Sequence, residues 1–419
     1  MKKVTLLLLF VLAFFSLGFT FYYPIDGYSR TGIKRLLPIQ EKLLQEKENS
    51  RIRYGAFYSI EDIKLQLRSR KGDSASTLLK EDKALEELLR PLFPTSGYSA
   101  AVLDMTDPKN LLYADFRENV GYQPGSVGKI AVINALFDQL AKVCPDSFEE
   151  RVHILKNKRV GAGFWGTGDH HTIPVYNAEK KNVLKRQVVA TDTFSLYEWA
   201  DHMLSVSNNG AASVIYREAL LMKAFGRDYE NLTQEEANAF FKETPRDSLT
   251  NLSYDVVNEP LRELGIDKDE WRLGGFFTNG PDKYISRKGG SIGTPVGLMK
   301  YMVNLEQGKV VDTSSSLEIK RLLYLTDRRI RYAASPSLDS AAVYFKSGSF
   351  YKCNRSLGTY CNDYAGNVFN YMNSVITVEH PNGRKYIVCL MTNVLSKNSA
   401  GAHMYLAGKI DQTLAEAAK

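Results

Sequence analysis

Strand-like segments stand at both ends of this chain, and a long helical block separates them. Near the N-terminal end, residues 100–104 and 111–115 are mostly apolar and flank a turn at 106–110, a pattern that predicts a β-hairpin. Toward the C-terminal end, three further segments have strand character: 341–347, 374–379 and 385–394. From 145 to 320, most apolar residues instead follow helical spacing. We therefore expect one sheet to collect strands from both ends, with the helical block as an inserted lobe.

The composition is that of an ordinary globular protein. The chain has 419 residues, 44% of them hydrophobic and 24% charged, which excludes disordered and low-complexity classes. Lys and Arg outnumber Asp and Glu by 54 to 47, so the net charge of +7 is mild for this size. Basic and aromatic residues do not gather into a nucleic-acid module, and we expect no nucleic-acid partner.

Four cysteines are too few for a disulfide-rich scaffold. Cys353 and Cys361 lie close together in a polar loop, and the sequence leaves open whether they form a disulfide. Cys144 follows a helical pattern and Cys389 lies in an apolar strand, so both are predicted to be buried thiols. Because no zinc-site spacing occurs, we expect no metal, and nothing implies an organic cofactor.

The first 23 residues predict export. Lys2 and Lys3 precede an apolar run over 4–23, which is typical of a signal peptide. The run is also long enough to cross a bilayer once, so a single uncleaved membrane anchor is the alternative. In either case we expect the protein in the periplasm or anchored on the outer face of the membrane.

Residues 24–95 are predicted to form a helical approach segment. Three stretches have helical periodicity with many charges: 38–48, 60–70 and 76–90. Pro91 and Pro94 would end the last helix. The plain interpretation of this segment is a spacer between the membrane and the domain at 96–419.

A serine and a lysine share the start of the first long helix. Pro124-Gly125 supplies a turn, and the apolar spacing of 126–143 predicts a helix that begins at Ser126. Lys129 follows three residues later and therefore lies on the same face. The positive end of the helix dipole favours a developing alkoxide, and a desolvated lysine can lose its proton and act as a base. A second Ser-x-x-Lys, at Ser349 and Lys352, lacks both the turn and the helix.

Two further motifs follow in order. Ser207-Asn-Asn209 stands between two helical runs, and Lys346-Ser347-Gly348 ends an apolar strand. With Ser126-x-x-Lys129, they resemble the Ser-x-x-Lys, Ser-x-Asn and Lys-Thr/Ser-Gly set of the serine β-lactamase and penicillin-binding protein superfamily, class A β-lactamases above all. The resemblance covers roughly 75–419, with insertions.

The resemblance implies an α+β fold of the β-lactamase/transpeptidase type. A mostly antiparallel sheet flanked by helices would come from 96–120 and 335–419. An all-helical lobe would come from 121–334, and the cleft would lie between the two lobes.

The resemblance also implies three catalytic roles. Ser126 would be the nucleophile that forms an acyl-enzyme, and Lys129 would take its proton. Ser207 would relay a proton to the leaving nitrogen.

Binding roles follow from the same resemblance. Asn209 would hold the substrate's side-chain amide and steady the lysine. Lys346 and Ser347 would bind the substrate carboxylate by charge and hydroxyl. The backbone N–H groups of Ser126 and Ser349 would form the oxyanion hole.

One family feature is missing. Class A enzymes carry a glutamate in the omega loop that activates the deacylating water, whereas the corresponding stretch here, around 269–283, has none in register. Glu270 and Asp282 are the nearest candidates. We therefore expect either a long-lived acyl-enzyme or another water-activating group.

Three functions compete at this point. The first is hydrolysis of a β-lactam or related amide by an exported serine hydrolase. The second is a D-alanyl-D-alanine peptidase, that is, a penicillin-binding protein acting on cell-wall peptide. The third is a non-enzymatic binding protein, disfavoured because the motif residues are all present. The expected partner is a small β-lactam or a D-Ala-D-Ala-type peptide, and the expected state is a monomer.

Three polar clusters outside the motifs are interpreted as solvent-exposed. They are Asp-His-His at 169–171, where adjacent histidines are expected to point apart, Asp-His at 201–202, and the arginines at 328, 329 and 331.

Overall fold

A computed structural model describes residues 26–38, 58–324, 329–357 and 361–417. The predicted signal peptide or anchor at 1–23 and nearly all of the predicted helix at 38–48 lie outside these residues. Within the described ranges, no helix has both the length and the apolar character that a membrane span requires.

Eleven strands occur in the described residues: β1 (Tyr98–Asp104), β2 (Leu112–Phe116), β3 (Arg159–Gly161), β4 (Ile173–Asn177), β5 (Asn182–Arg186), β6 (Thr193–Ser195), β7 (Trp271–Arg272), β8 (Ile292–Gly293), β9 (Ala342–Lys352), β10 (Phe369–Glu379) and β11 (Lys385–Asn393). Five of them form the central sheet in the order β2-β1-β11-β10-β9. Every neighbouring pair in it is antiparallel. The expectation of one sheet with strands from both ends of the chain is confirmed.

Strands β9 and β10 are longer than predicted. β9 continues past residue 347 to Lys352, and β10 begins at Phe369 rather than at 374. The added ends pair with each other, so that Phe369 lies opposite Lys352. Apart from Met372, which is buried, the side chains of these ends are polar or at least partly exposed, and an apolar pattern therefore does not reveal them.

The described α-helices are Gly27–Thr31, Ala75–Leu78, Lys83–Leu89, Lys129–Val143, Phe148–Asn157, Leu196–Leu204, Asn209–Phe225, Gln234–Glu243, Arg246–Glu263, Pro295–Gln307, Thr313–Tyr324 and Ser399–Ala417. Helices cover both faces of the sheet. Ala100 and Val102 of β1 pack into one core with the C-terminal helix, whereas Ala101 and Leu103 pack into the larger core shared with the helical lobe. This alternation is the two-residue period of a strand buried on both sides.

The inserted lobe is mostly helical, as predicted, and also contains three short strand pairs that the prediction of an all-helical lobe lacks. These are β3 with β6, β4 with β5, and β7 with β8. The β4–β5 hairpin is partly exposed, and its alternation is too short and too polar to stand out within helical spacing.

The approach segment differs from its prediction. Residues 60–70 contain two short 3-10 turns, Ile60–Asp62 and Arg68–Arg70, so the helix predicted there is wrong. The helix predicted over 76–90 is divided, because Glu81 forms a bridge to Tyr113 of β2. The break leaves Lys83–Leu89 as a separate helix, which ends just before the prolines.

The interpretation of this segment as a spacer is wrong for its described part, 26–38 and 58–95. Ile33, Leu36, Ile63 and Leu67 are buried in the same core as the helical lobe. These residues therefore form part of the folded domain.

Candidate active site

Ser126 lies in a 3-10 turn, Gly125–Gly128, that runs directly into the helix Lys129–Val143. The predicted helix therefore begins three residues later than expected. The spacing still places both side chains together, since Lys129 Nζ lies 2.9 Å from Ser126 Oγ. The hydroxyl is half-buried and lines the cleft.

The Lys129 amine is fully buried and contacts three of the predicted site residues. It donates to Ser126 Oγ, to Asn209 Oδ1 at 2.7 Å and to the Ser207 carbonyl at 2.6 Å. Burial lowers the pKa of Lys129 from 10.5 to about 7, although the carboxylate of Asp169 opposes the shift. A large part of this amine is thus neutral near pH 7 and can accept a proton.

Ser207 occupies the loop between the helices Leu196–Leu204 and Asn209–Phe225 with φ of 62°. Non-glycine residues rarely adopt this left-handed conformation, and it is typical of functional positions. Its hydroxyl lies 2.9 Å from Lys346 Nζ and 3.2 Å from Lys129 Nζ. The hydroxyl is therefore held between two amines, as a proton relay requires.

Lys346 is buried on β9, next to Ser347. Burial lowers the pKa of Lys346 well below its usual 10.5, and the nearby charges of Lys129 and Arg331 lower it further. A carboxylate bound beside Ser347 would be stabilised by the Arg331 guanidinium and would favour the protonated form of the Lys346 amine.

The chain around Ser126 lies directly against β9. Gly348 has no side chain, and a Cβ there would come within 2.6 Å of Ser126 N. A Cβ at Gly125, whose φ is 54°, would lie 3.3 Å from Ser349 N. The two glycines allow the backbones of Ser126 and Ser349 to approach each other, as the predicted oxyanion hole requires.

Arg331 was expected on a solvated face, and this is wrong. Its guanidinium donates to Ser347 Oγ at 2.8 Å and to Ser349 Oγ at 2.9 Å. It also stacks over Tyr364 at 5.0 Å. Arg329 instead donates to the backbone carbonyls of Leu338 and Ala341, just before β9. Residue 328 lies outside the described part of the chain.

A disulfide joins Cys353 and Cys361 just beyond this wall, which answers the question left open by the sequence. The two remaining cysteines, Cys144 and Cys389, are buried thiols as predicted. The disulfide closes a loop next to Tyr364, which lines the cleft.

Asp169 was expected in an exposed loop, but its side chain is only 2% exposed. Its carboxylate accepts hydrogen bonds from Asn209 N at 2.6 Å, Asn209 Nδ2 at 3.1 Å and His171 Nδ1 at 2.8 Å. Burial alone would raise the pKa of Asp169, but the hydrogen bonds from His171 and Asn209 outweigh it and lower the pKa to about 2. The carboxylate therefore fixes the amide of Asn209 so that its oxygen faces Lys129.

The two histidines of this cluster were expected to point apart, and this is wrong. Their rings lie side by side, with centroids 4.2 Å apart and planes tilted by 31°. Potential ligand atoms of Asp169, His170 and His171 lie within 4.8 Å of one another. The carboxylate already accepts three hydrogen bonds, so the cluster is not a ready metal site.

Asp201 and His202 are also buried, contrary to expectation. Asp201 accepts two hydrogen bonds from Arg35, at 2.6 and 2.8 Å. Burial lowers the pKa of His202 to about 4, and its ring packs edge-on against Phe194 and Trp199. Both residues support the helix that leads to Ser207.

Neither candidate for the missing glutamate faces the cleft. Glu270 pairs with Lys300, and Asp282 lies 3.9 Å from Arg287. The residue of this loop that contacts Lys129 is instead Phe277, whose ring centroid lies 5.2 Å from Lys129 Nζ. An apolar ring therefore lies beside the lysine on the side of the 273–291 loop.

The structure brings all seven predicted site residues together. Six of them line one cavity of about 750 Å³ between the lobes: Ser126, Ser207, Asn209, Lys346, Ser347 and Ser349. Lys129 lies beneath them. Among the described residues that line this cavity, none is an aspartate or a glutamate. The sequence analysis did not place Arg331, Asp169 and Phe277 at the site.

A family model described as "Beta-lactamase enzyme family" matches residues 83–415. The fold is similar to the TLA-3 extended-spectrum β-lactamase (14% identity, TM-score 0.52, 80% of this chain and 99% of that chain). It is also similar to a class A β-lactamase from Bacteroides cellulosilyticus (14%, 0.50, 80% and 98%) and to a PBP-A mutant solved as an acyl-enzyme complex with penicillin G (12%, 0.50, 81% and 98%). No curated protein matches the sequence. Since the family model spans most of the chain, and the fold is that of these enzymes, the protein belongs to the β-lactamase enzyme family.

Proposed function

We propose that this protein is an exported serine hydrolase that opens a β-lactam or a related amide through an ester on Ser126. The observation that carries the proposal is the 2.9 Å contact between Ser126 Oγ and the Lys129 amine, whose pKa burial lowers to about 7. A hydroxyl beside a buried amine that is about half neutral at pH 7 is an activated nucleophile.

Acylation uses the groups around that contact. Lys129 takes the proton of Ser126 as its oxygen attacks the substrate carbonyl carbon. The N–H groups of Ser126 and Ser349 stabilise the oxyanion. When the carbon–nitrogen bond breaks, the Ser207 hydroxyl gives its proton to the nitrogen and receives one from Lys129.

The substrate's carboxylate binds at the β9 wall. Lys346 supplies charge and Ser347 a hydroxyl. Arg331, already bonded to Ser347 and Ser349, adds a guanidinium suited to a carboxylate. This wall recognises the acid group on the leaving-nitrogen side of the scissile bond.

Deacylation is expected to be slow. No aspartate or glutamate stands among the described lining residues, and Phe277 lies beside Lys129. This feature favours the second candidate, a D-alanyl-D-alanine peptidase that β-lactams would trap as a stable ester. The export signal, the membrane anchor and the monomeric state remain predictions.

The test is the intact mass of the protein after exposure to benzylpenicillin. We expect an increase of one penicillin mass in the unsubstituted chain and none in Ser126→Ala. Lys129→Met should slow acylation by orders of magnitude, whereas its matched control, Lys352→Met in the second Ser-x-x-Lys, should not.

The outcomes separate the candidates. A persistent adduct supports the peptidase, and hydrolysed penicillin without an adduct supports a β-lactamase. Neither adduct nor hydrolysis would leave the non-enzymatic binding protein.

A further inference from the structure

The Arg331 guanidinium makes two kinds of contact in the cleft. Its N–H groups donate to the hydroxyls of Ser347 and Ser349, while its face lies over the Tyr364 ring, 5.0 Å from the ring centroid. A guanidinium can do both at once, because its donors lie in its plane and its faces stack on aromatic rings. The Tyr364 ring therefore sets the plane in which Arg331 presents its donors to β9.

The orientation of Arg331 matters because its charge is permanent. A guanidinium stays protonated throughout the pH range of a folded protein. Burial instead lowers the pKa of the neighbouring Lys346 well below its usual 10.5, so the charge of that amine depends on pH. A carboxylate that binds beside Ser347 thus depends on where the Arg331 guanidinium is held.

Both residues of this pair have a backbone conformation that is rare for their side chains. The φ angle is 54° at Arg331 and 59° at Tyr364. Residues with a Cβ are strained in this left-handed region, and they remain there where the surrounding structure imposes it, often at functional sites. Here the two strained residues contact each other in the cleft, which indicates that their placement serves the site.

Tyr364 is itself held by contacts with two other elements. Its carbonyl accepts hydrogen bonds from Ser399 N at 2.9 Å and Ser399 Oγ at 3.0 Å, at the start of the C-terminal helix. Its ring meets the Tyr351 ring of β9 edge-on, with centroids 5.6 Å apart. The disulfide at Cys361, three residues earlier, ties the same segment to Cys353. The ring is therefore a fixed support for Arg331.

We propose that Tyr364 is a positioning residue of the carboxylate site, whose ring holds the Arg331 guanidinium in the plane that a carboxylate beside Ser347 can bind. The inference rests on the proposed function, which places the substrate carboxylate at this wall. Tyr364 acts through Arg331 and confers a preference for acids over neutral analogues.

The test compares benzylpenicillin with its methyl ester, which lacks the negative charge. Binding of each is measured by calorimetry to the Ser126→Ala protein, so that no reaction is needed. We expect the acid to bind more tightly than the ester. Tyr364→Leu should lower the ratio of the two affinities about threefold to tenfold, the range of a half-buried cation–π contact. The affinity for the ester should stay the same, which a general disturbance of the cleft would not produce.

Further variants assign the effect to the ring and to Arg331. Tyr364→Phe keeps the ring and should keep the ratio. The matched control is Tyr405→Leu, which removes an exposed ring below Lys409 that does not line the cavity. In an Arg331→Gln background, Tyr364→Leu should cause no further loss, because two residues that act through one contact are not additive.

The inference would be overturned by equal affinity for acid and ester, by no binding of either, or by a ratio that Tyr364→Leu leaves unchanged. An equal loss in Tyr364→Phe, or a loss that persists in the Arg331→Gln background, would also overturn it. If the ratio depends on Tyr364 in a protein that forms no acyl-enzyme and hydrolyses no penicillin, the proposed function fails and the positioning role stands. Acylation of Ser126 with a ratio independent of Tyr364 would give the reverse result.

Discussion

Changing the pH should switch Lys129 between proton donor and proton acceptor, because burial lowers the pKa of its amine from 10.5 to about 7. At pH 7 about half of the amine is then neutral, against roughly one molecule in 3,000 for an ordinary exposed lysine. Without this shift, a lysine base would be almost unavailable at neutral pH.

The acylation rate constant should follow the neutral fraction. We expect it to rise about tenfold between pH 6 and 8, with a midpoint near 7. Time-resolved intact mass with benzylpenicillin measures this rate directly, and it does not depend on how fast the ester is hydrolysed.

Asp169→Asn tests the origin of the midpoint. The Asp169 carboxylate raises the pKa of Lys129, so its removal should move the midpoint to lower pH. Asp282→Asn, at an acid outside the cavity lining, is the control and should leave the midpoint in place. A midpoint near 10 in the unsubstituted chain, or one that Asp169→Asn leaves in place, would refute the reasoning.

Three further changes have expected outcomes. Arg331→Gln should lower kcat/KM about tenfold for amides with a carboxylate and little for the matching methyl esters, measured by acylation rates. Arg35→Met leaves the buried Asp201 unpaired and should cost about 3–5 kcal/mol in urea unfolding, whereas Arg30→Met, from a partly exposed pair, should cost less. Burial lowers the pKa of His202 from 6.5 to about 4, so between these pH values the unfolded chain binds a proton that the folded chain does not. The free energy of unfolding, measured in urea, should therefore fall as the pH drops from 6.5 to about 4. His202→Phe should lessen this fall.

The sequence was sufficient to place residues whose surroundings are formed by residues close to them in the chain. Ser126 and Lys129 share one turn of chain, and Lys346-Ser347 directly follows the apolar run that reveals strand β9. A helix start and a strand are short-range patterns, so these side chains could be placed before any tertiary contact was known.

Residues whose environment depends on contacts with residues far away in the sequence could not be placed. Arg331 read as one of several surface arginines, but its backbone turns at a φ of 54° and its guanidinium binds side chains on β9. Asp169 receives its hydrogen bonds from Asn209, 40 residues further along the chain. Arg35 lies in the segment that was interpreted as a spacer, but it pairs with Asp201, 166 residues away. In each case the polar side chain finds its hydrogen-bond partner on a distant part of the chain, and a sequence pattern does not carry that information.

The composition of the cleft separates the two halves of the proposed reaction. Acylation needs a neutral amine beside Ser126, and burial provides it through Lys129. Hydrolysis of the ester needs a base that activates water, and no carboxylate stands among the described lining residues, while the Phe277 ring lies beside Lys129. Water activation would then fall to Lys129 itself, which the first step leaves neutral once its proton has passed through Ser207 to the leaving nitrogen. The same amine therefore serves both steps. Hydrolysis of the ester is the slower step, because the Phe277 ring limits where a water molecule can bind beside Lys129.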